Sequence, residues 1–174
     1  MSVIIDGTAG ITFPVVAGGT SAVQASSGKV LQVLQSSYST ETTISPTTYT
    51  DTGLSCSITP SSTTSKILIM VSQQSRVVSG SNPSVSGFKL KLLRGSTGIA
   101  DFGASGSNAV ELTADNGGNV RIASYTSVTY LDSPSTTSST TYKTQASVNS
   151  GTVNVSFQGN STGVSVMTLM EIAA

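Results

Sequence analysis

The chain of 174 residues contains no histidine, no tryptophan and a single cysteine. Without histidine it lacks the commonest general base and the commonest metal ligand of proteins, so a conventional Ser-His-Asp triad is excluded. Cys56 has no partner for an intrachain disulfide. It lies between Leu54 and Ile58 on the apolar side of an alternating segment, which predicts a small buried side chain rather than a reactive thiol.

Charge is scarce as well, since only 9% of the residues are charged and eight basic residues balance eight acidic ones. The basic residues are scattered and form no stripe that could neutralise phosphates, so we predict no nucleic-acid binding. A net charge of zero gives little protection against self-association, which suits a subunit of an assembly. No segment approaches the roughly 20 apolar residues that span a bilayer, and the N-terminus lacks the features of a signal peptide, so no membrane insertion is expected.

The few acidic residues do not suggest a catalytic site. A glycosidase needs two carboxyl groups about 5 to 9 Å apart, whereas most of the acids fall at predicted turns, such as Asp115 in "ADNGG" and Asp132 in "LDSP". No G-x-S-x-G elbow or phosphate-binding loop is present. We therefore predict that the chain is not an enzyme, with no catalytic residue, no metal site and no cofactor.

Hydroxyl-bearing residues dominate what is present, with 33 Ser and 25 Thr making up a third of the chain. The hydrophobic 37% occurs in patterned runs rich in Val, Ile and Leu, which disordered segments lack. Val and Thr favour a pleated, half-buried surface. Eight or nine strands of 6 to 12 residues alternate with turns and no crossover helices, which predicts an all-β sandwich or barrel.

Strict alternation of apolar and polar residues marks individual strands. The stretch "TGLSCSITPSSTTSKILIMVS", Thr52 to Ser72, predicts a strand, a turn and a second strand that form a hairpin. Two later segments, "FKLKLLRG" and "TYKTQASV", place their apolar or inward residues at every second position. These inward positions are Phe88, Leu90, Leu92, Tyr142, Thr144, Ala146 and Val148.

Two segments are apolar on both faces, Ile67 to Val71 and the C-terminal "VSVMTLMEI". A strand with two apolar faces needs a cover on the second face. In a small sandwich that face meets water, so a second copy of the chain is the simplest cover, and we predict self-association. The predicted oligomer interface consists of Ile67, Ile69, Val71, Met167, Leu169 and Met170.

The first 28 residues differ from the rest in being rich in Gly, Ala, Ser and Thr and in having no basic residue. Their apolar patches are too short to fold alone. We predict an extended N-terminal arm over residues 1–28, ahead of a sandwich over 29–174, that docks on a partner's sheet edge or groove; a disordered leader is the alternative. The predicted docking residues are Ile4, Ile5, Ile11, Phe13 and Val15.

Several phrases of the sequence resemble a family of bacteriophage virion proteins. "DTGLSCSITPSSTTSKILIMVS" is similar to a "TGL…ITPSS…SKILI" phrase of short structural and tail-appendage proteins. It is preceded by "GKVLQVLQSSYST" and followed by "FKLKLLRGSTGI", "TYLDSPSTTSSTTYKTQ" and a chain end "TLMEIAA". The segment "GASGSNAVELTADNGGN" departs from the family pattern. The resemblance implies a jelly-roll sandwich, a homotrimer, other virion proteins of capsid or tail as partners, and a chain made soluble in the host cytoplasm and then located in the virion.

Two functions stay open at this point. One is a non-enzymatic decoration, fibre or knob component. The other is a receptor-binding module of a tail fibre that contacts a host-surface glycan through loops such as 79–87 and 102–119. Sugar rings stack on aromatic faces, and the tyrosines are the candidates for such contact, although they more often pack with one edge in water. They are Tyr38, Tyr49, Tyr125, Tyr130 and Tyr142.

Overall fold

The computed structural model describes residues 4–6, 10–12, 28–45, 47–79, 86–103, 108–112, 120–148, 153–159 and 162–174. All regular structure in these ranges is β. The strands are β1 (Ile4–Asp6), β2 (Gly10–Thr12), β3 (Val30–Tyr38), β4 (Thr42–Ile44), β5 (Thr50–Ile58), β6 (Lys66–Ser79), β7 (Ser86–Arg94), β8 (Thr97–Asp101), β9 (Val110–Leu112), β10 (Val120–Asp132), β11 (Thr140–Val148), β12 (Val153–Phe157) and β13 (Ser165–Ile172).

Two antiparallel sheets form a sandwich. In the first sheet β3, β13, β6 and β10 lie side by side, and β12 and β4 continue beside the second half of β6. In the second sheet the order is β5, β11, β7 and β8, with β9 beside the start of β7. In chain order these eight strands are β3, β5, β6, β7, β8, β10, β11 and β13. The first pairs with the last, β3 with β13, and the remaining pairs nest inside it: β5 with β11, β6 with β10, and β7 with β8. This nested pairing is a jelly roll, which confirms the predicted fold class.

The prediction that β5 and β6 form a hairpin is wrong, because β5 belongs to the second sheet and β6 to the first. The turn between them carries the chain from one sheet to the other. Turn-forming residues signal that the chain reverses, but they do not specify the strand with which the next segment pairs. Here that choice is fixed by β13 and β10, which lie far away in the sequence and flank β6 on its two edges.

The predicted alternation within strands is confirmed. In β5 every second residue from Thr52 to Ile58 is buried, and Cys56 is one of these core residues, as expected. Burial raises the pKa of the Cys56 thiol, which keeps it protonated. All seven inward positions predicted in β7 and β11 are buried.

A band of buried polar side chains divides the core into two hydrophobic clusters. One cluster includes Phe88 and Phe157, whose rings meet edge to face at 5.3 Å between centroids. The other includes Ile67 and Leu169. Between them, the Gln73 amide of β6 accepts a hydrogen bond from the Thr144 hydroxyl at 2.8 Å and donates one to Ser165 Oγ at 2.9 Å. Because these groups satisfy one another, the band fixes the relative position of the two sheets.

In the N-terminal segment, residues 4–6 and 10–12 pair as an antiparallel two-stranded sheet. That the segment is an arm that docks on a partner stays a prediction. Three of the predicted docking residues, Ile4, Ile5 and Ile11, lie in these two strands, whereas Phe13 and Val15 lie outside the described residues. Farther along the chain, the amide of Gly28 donates to the carbonyl of Ala173 at 2.8 Å. The sandwich therefore begins beside its own C-terminus.

Candidate functional site

An apolar row crosses the outer face of the first sheet. Val33 of β3 pairs with Met170 of β13, Met170 pairs with Leu68 of β6, and Leu68 pairs with Leu131 of β10. In antiparallel sheets, directly paired residues lie on the same side, so four neighbouring strands place these side chains in one line. The two ends of the line are open to solvent, with Val33 53% and Leu131 51% exposed. We call these four residues the outer apolar row.

On one side of this row the surface has no charge, whereas on the other side the neighbouring row contains Lys66, which pairs with Ile172. On the uncharged side, the next two rows of the same four strands consist of Gln35, Thr168, Met70 and Thr129, and then Ser37, Val166, Ser72 and Ser127. All of these side chains are apolar, hydroxyl-bearing or amide. Such a surface can be covered without removing an ion from water, and covering it therefore carries no large desolvation cost.

The predicted oligomer interface is only partly at this surface. Of the six predicted residues, Met170 belongs to the outer apolar row. The other five residues face the opposite way, into the core, and none is more than 3% exposed: Ile67, Ile69, Val71, Met167 and Leu169. The structure corrects their assignment, because the second sheet of the same chain already covers them. The residues that sequence reasoning missed are Val33, Leu68 and Leu131, whose common row is visible only once the strand pairing is known.

The outer face of the second sheet is charged instead. Asp51 of β5 pairs with Gln145 of β11, Gln145 with Lys91 of β7, and Lys91 with Asp101 of β8. The Asp51 carboxylate accepts hydrogen bonds from Lys143 Nζ at 2.9 Å and from Gln145 Nε2 at 2.7 Å. Burial acts to raise the pKa of Asp51, but these two donors outweigh it and hold the pKa below its usual value.

One aromatic ring accompanies this charged face. Lys91 Nζ lies 3.5 Å from the centroid of the Tyr49 ring, a cation–π contact, and Tyr49 is 37% exposed. A shallow depression of about 340 Å³ adjoins it, lined by Lys91 and by residues 98 to 101. Of the other tyrosines, Tyr142 is fully buried, Tyr38 and Tyr130 pack against the core, and Tyr125 is 61% exposed. Tyr49 and Tyr125 are thus the tyrosines with a substantial accessible surface.

Two acidic residues, Asp132 and Glu171, hold parts of the fold together through hydrogen bonds. Asp132, predicted to begin a turn, is the last residue of β10, and its carboxylate accepts hydrogen bonds from Arg94 at 2.9 Å and from the Tyr142 hydroxyl at 2.8 Å. Glu171 is buried and accepts hydrogen bonds from Ser61 and Gln32. Within the described ranges no three His, Cys, Asp or Glu residues gather into a group that could hold a metal ion, and no helix could cross a membrane.

Comparisons with known proteins are sparse. No family model matches the chain, and no curated protein sequence matches it. Ten solved chains match in structure. One of them, described as the structure of infectious bursal disease virus Gt strain, is 13% identical with a TM-score of 0.32, and the match covers 99% of this chain and 47% of that one. The chain therefore spans about half the length of that protein, and a similarity of this degree does not indicate what the chain does.

Proposed function

We propose that the chain is a non-enzymatic structural protein of a bacteriophage virion: a small, self-associating jelly roll attached to capsid or tail as a decoration, fibre or knob component. The observation that carries this proposal is the contrast between the two outer faces. The outer face of the first sheet bears the outer apolar row and, on one side of it, two uncharged rows, whereas the outer face of the second sheet bears Asp51, Lys91, Asp101 and Lys143. A molecule with one surface suited to burial and another suited to contact with water has the properties expected of a subunit in an assembly.

The virion setting is supported by the order of the sequence phrases that resemble tail-appendage proteins, including "ITPSSTTSKILI" and "TLMEIAA". The same resemblance favours three copies around a three-fold axis. Each copy would turn its outer apolar row towards its neighbours and the outer face of its second sheet towards water. The high content of Ser and Thr suits such a surface, because hydroxyl groups stay hydrated without adding charge.

The test is to locate the protein. Antibodies raised against the purified chain are used to label particles of the virus that encodes it, and the labelled particles are imaged by electron microscopy. The expected result is label at a regular set of positions on capsid or tail, together with the chain in the purified particle by mass spectrometry. A chain that is abundant in infected cells yet missing from particles overturns the proposal.

A second candidate, contact with a host-surface glycan, is favoured by the exposed Tyr49 ring beside Lys91 and the adjoining depression. Sugar recognition commonly joins an aromatic face to polar groups that donate and accept hydrogen bonds. The loops first predicted for this role, 79–87 and 102–119, lie largely outside the described residues. A glycan array probed with the wild-type chain and with Tyr49→Ala tests it. Binding that the substitution leaves unchanged would remove this site from consideration.

A further inference from the structure

We infer that the outer apolar row is the docking site for the β1–β2 hairpin of a second copy, so that neighbouring copies exchange their N-terminal segments. The inference rests on the proposed function, because it supplies the contact by which such a subunit associates. It accounts for two features of the chain at once. One is a hairpin whose two strands are hydrogen-bonded to neither sheet of the sandwich, and the other is an apolar row whose two ends are open to solvent.

The hairpin needs a surface on which to pack. Its two strands have three residues each and are hydrogen-bonded to neither sheet of the sandwich. A two-stranded hairpin is marginally stable at best in water unless a further layer supports it. Its central pair in the register is Ile5 with Ile11. Three of its six residues are isoleucine, a composition typical of a hairpin that packs on an apolar surface.

The outer apolar row matches the hairpin in size and chemistry. Strands lie about 4.8 Å apart, so the four side chains from Val33 to Leu131 span about 14 Å. Two paired strands of three residues present a face about 10 Å long, which fits over the central pair, Met170 and Leu68. The row itself holds no charged residue, and the charge beside it, that of Lys66, is opposite in sign to Asp6, the only ion of the hairpin.

The connection permits exchange between copies. Fifteen residues separate Thr12 from Gly28, and a chain of that length reaches up to about 50 Å when extended. A domain of this size has a radius of gyration of about 15 Å, so the reach exceeds its own diameter. Gly28 lies beside Ala173, next to Ile172 at the end of the strand that contains Met170. The segment therefore leaves the sandwich at the edge of the apolar face, where a neighbouring copy on that face would receive it.

Mixing two full-length variants tests the exchange. The arm variant is Ile5→Asp with Ile11→Asp, and the face variant is Leu68→Asp, with Lys89→Asp on the outer face of the second sheet as the control. Each of the two variants alone should dissociate at concentrations at least about tenfold higher than the wild type, because a carboxylate would have to be buried unpaired. An equimolar mixture should recover complexes that contain one chain of each kind, since the intact hairpin of one fits the intact row of the other. Light scattering gives the mass of the complexes in the mixture. A tag carried by the arm variant alone shows whether each complex contains both variants.

The alternatives give different results. If the arm variant keeps the wild-type mass, the sandwiches associate without their hairpins and the inference is overturned; loss of that variant from particles would then point to docking on another virion protein. Monomers in the mixture, or in the wild type, also overturn it. If Leu68→Asp does not fold, Val33→Asp at the exposed end of the row replaces it, with thermal unfolding as the check. If the protein is found on particles but is a monomer in solution, only the exchange is contradicted. If the copies exchange hairpins in solution but the protein is absent from particles, only the virion proposal is contradicted.

Discussion

Glu171 is a buried carboxylate whose described hydrogen-bond partners are all uncharged. The backbone amide and the hydroxyl of Ser61 donate to its Oε1 at 2.7 and 2.6 Å, and Gln32 Nε2 donates to its Oε2 at 2.6 Å. Burial alone would raise the pKa of Glu171, but the hydrogen bonds from Ser61, Gln32 and Ser65 outweigh it and lower the pKa from 4.5 to about 2. The carboxylate of Glu171 in β13 thus holds two other parts of the chain, the turn after β5 through Ser61 and the strand β3 through Gln32.

Acid should therefore destabilise the fold through this residue. Because the folded pKa lies below the unfolded one, the stabilisation is present above about pH 4.5 and is lost as the pH falls towards 2, by at most about 3 kcal/mol. Glu171→Gln should lower the free energy of unfolding at pH 7 and flatten its decline between pH 5 and pH 2. Urea titrations across that range measure both. Glu111→Gln, at an exposed position, is the matched control, and equal acid sensitivity of Glu171→Gln and wild type would rule the account out.

Gly53 is fixed by two independent constraints. Its φ is +92°, a left-handed conformation that costs energy for any residue with a Cβ, and a Cβ placed there would overlap the ring of Tyr38. Gly53 lies in a β-bulge, where the pairing of β5 with β11 shifts register. The space left by its missing side chain is filled by the Tyr38 ring of the first sheet.

Gly53→Ala should accordingly cost about 2 kcal/mol or more, measured by chemical denaturation. Adding Tyr38→Ala should relieve the overlap but not the backbone strain, so the double variant should be less destabilised than the sum of the two single ones. Gly98→Ala, where the added Cβ meets only Lys91 Cδ at 3.8 Å, should change stability by less than about 1 kcal/mol. Strict additivity of the two Gly53 and Tyr38 effects would show that the ring is not the obstacle.

At the scale of strands, the ion pair between Arg94 and Asp132 links the two sheets. Asp132 ends β10 of the first sheet, while Arg94 ends β7 and Tyr142 lies in β11 of the second. Arg94 Nη1 donates to both Asp132 oxygens, at 3.0 and 2.9 Å. Burial is the main cause that raises the pKa of the Tyr142 hydroxyl, and its hydrogen bond to Asp132 adds to the effect, so the hydroxyl stays protonated as a donor.

Removing the shared acceptor should weaken the contact between the sheets. Asp132→Ala leaves a buried hydroxyl unpaired and a guanidinium without its carboxylate, and we expect a loss of about 2 kcal/mol in unfolding free energy. Tyr142→Phe removes a single hydrogen bond and should cost about 1 kcal/mol. Asp101→Ala, at an exposed carboxylate, should cost less than about 0.5 kcal/mol. Equal effects of Asp132→Ala and Asp101→Ala would contradict the role given to the pair.

The strands also show what the sequence can and cannot specify. In β11 one face is apolar and the other polar, so alternation alone predicts that Tyr142 and Ala146 point inwards. From Ile67 to Val71 every residue is apolar, and a shift of one residue exchanges the two faces. The pairing with β13 and β10 decides that Ile67 is buried and Leu68 is not, and both partners lie far away in sequence. Asp132 was predicted as a turn residue for the same reason, since its partner Arg94 is 38 residues away.

At the scale of the whole molecule, the two outer faces predict how association responds to salt. A contact through the outer apolar row depends on apolar burial, at about 25 cal/mol per Å², and such burial is insensitive to ionic screening. A contact through the charged face, with Lys91 and Asp101, would weaken as the Debye length falls from about 14 Å at 50 mM salt to about 4 Å at 500 mM. Light scattering on the wild-type chain at micromolar concentration, in both salts at pH 7, should give one unchanged mass that is a multiple of 17.6 kDa, and three times that value for the proposed trimer. Dissociation in high salt would place the contact on the charged face, and a mass near 17.6 kDa in both salts would mean that the chain associates through neither face at that concentration.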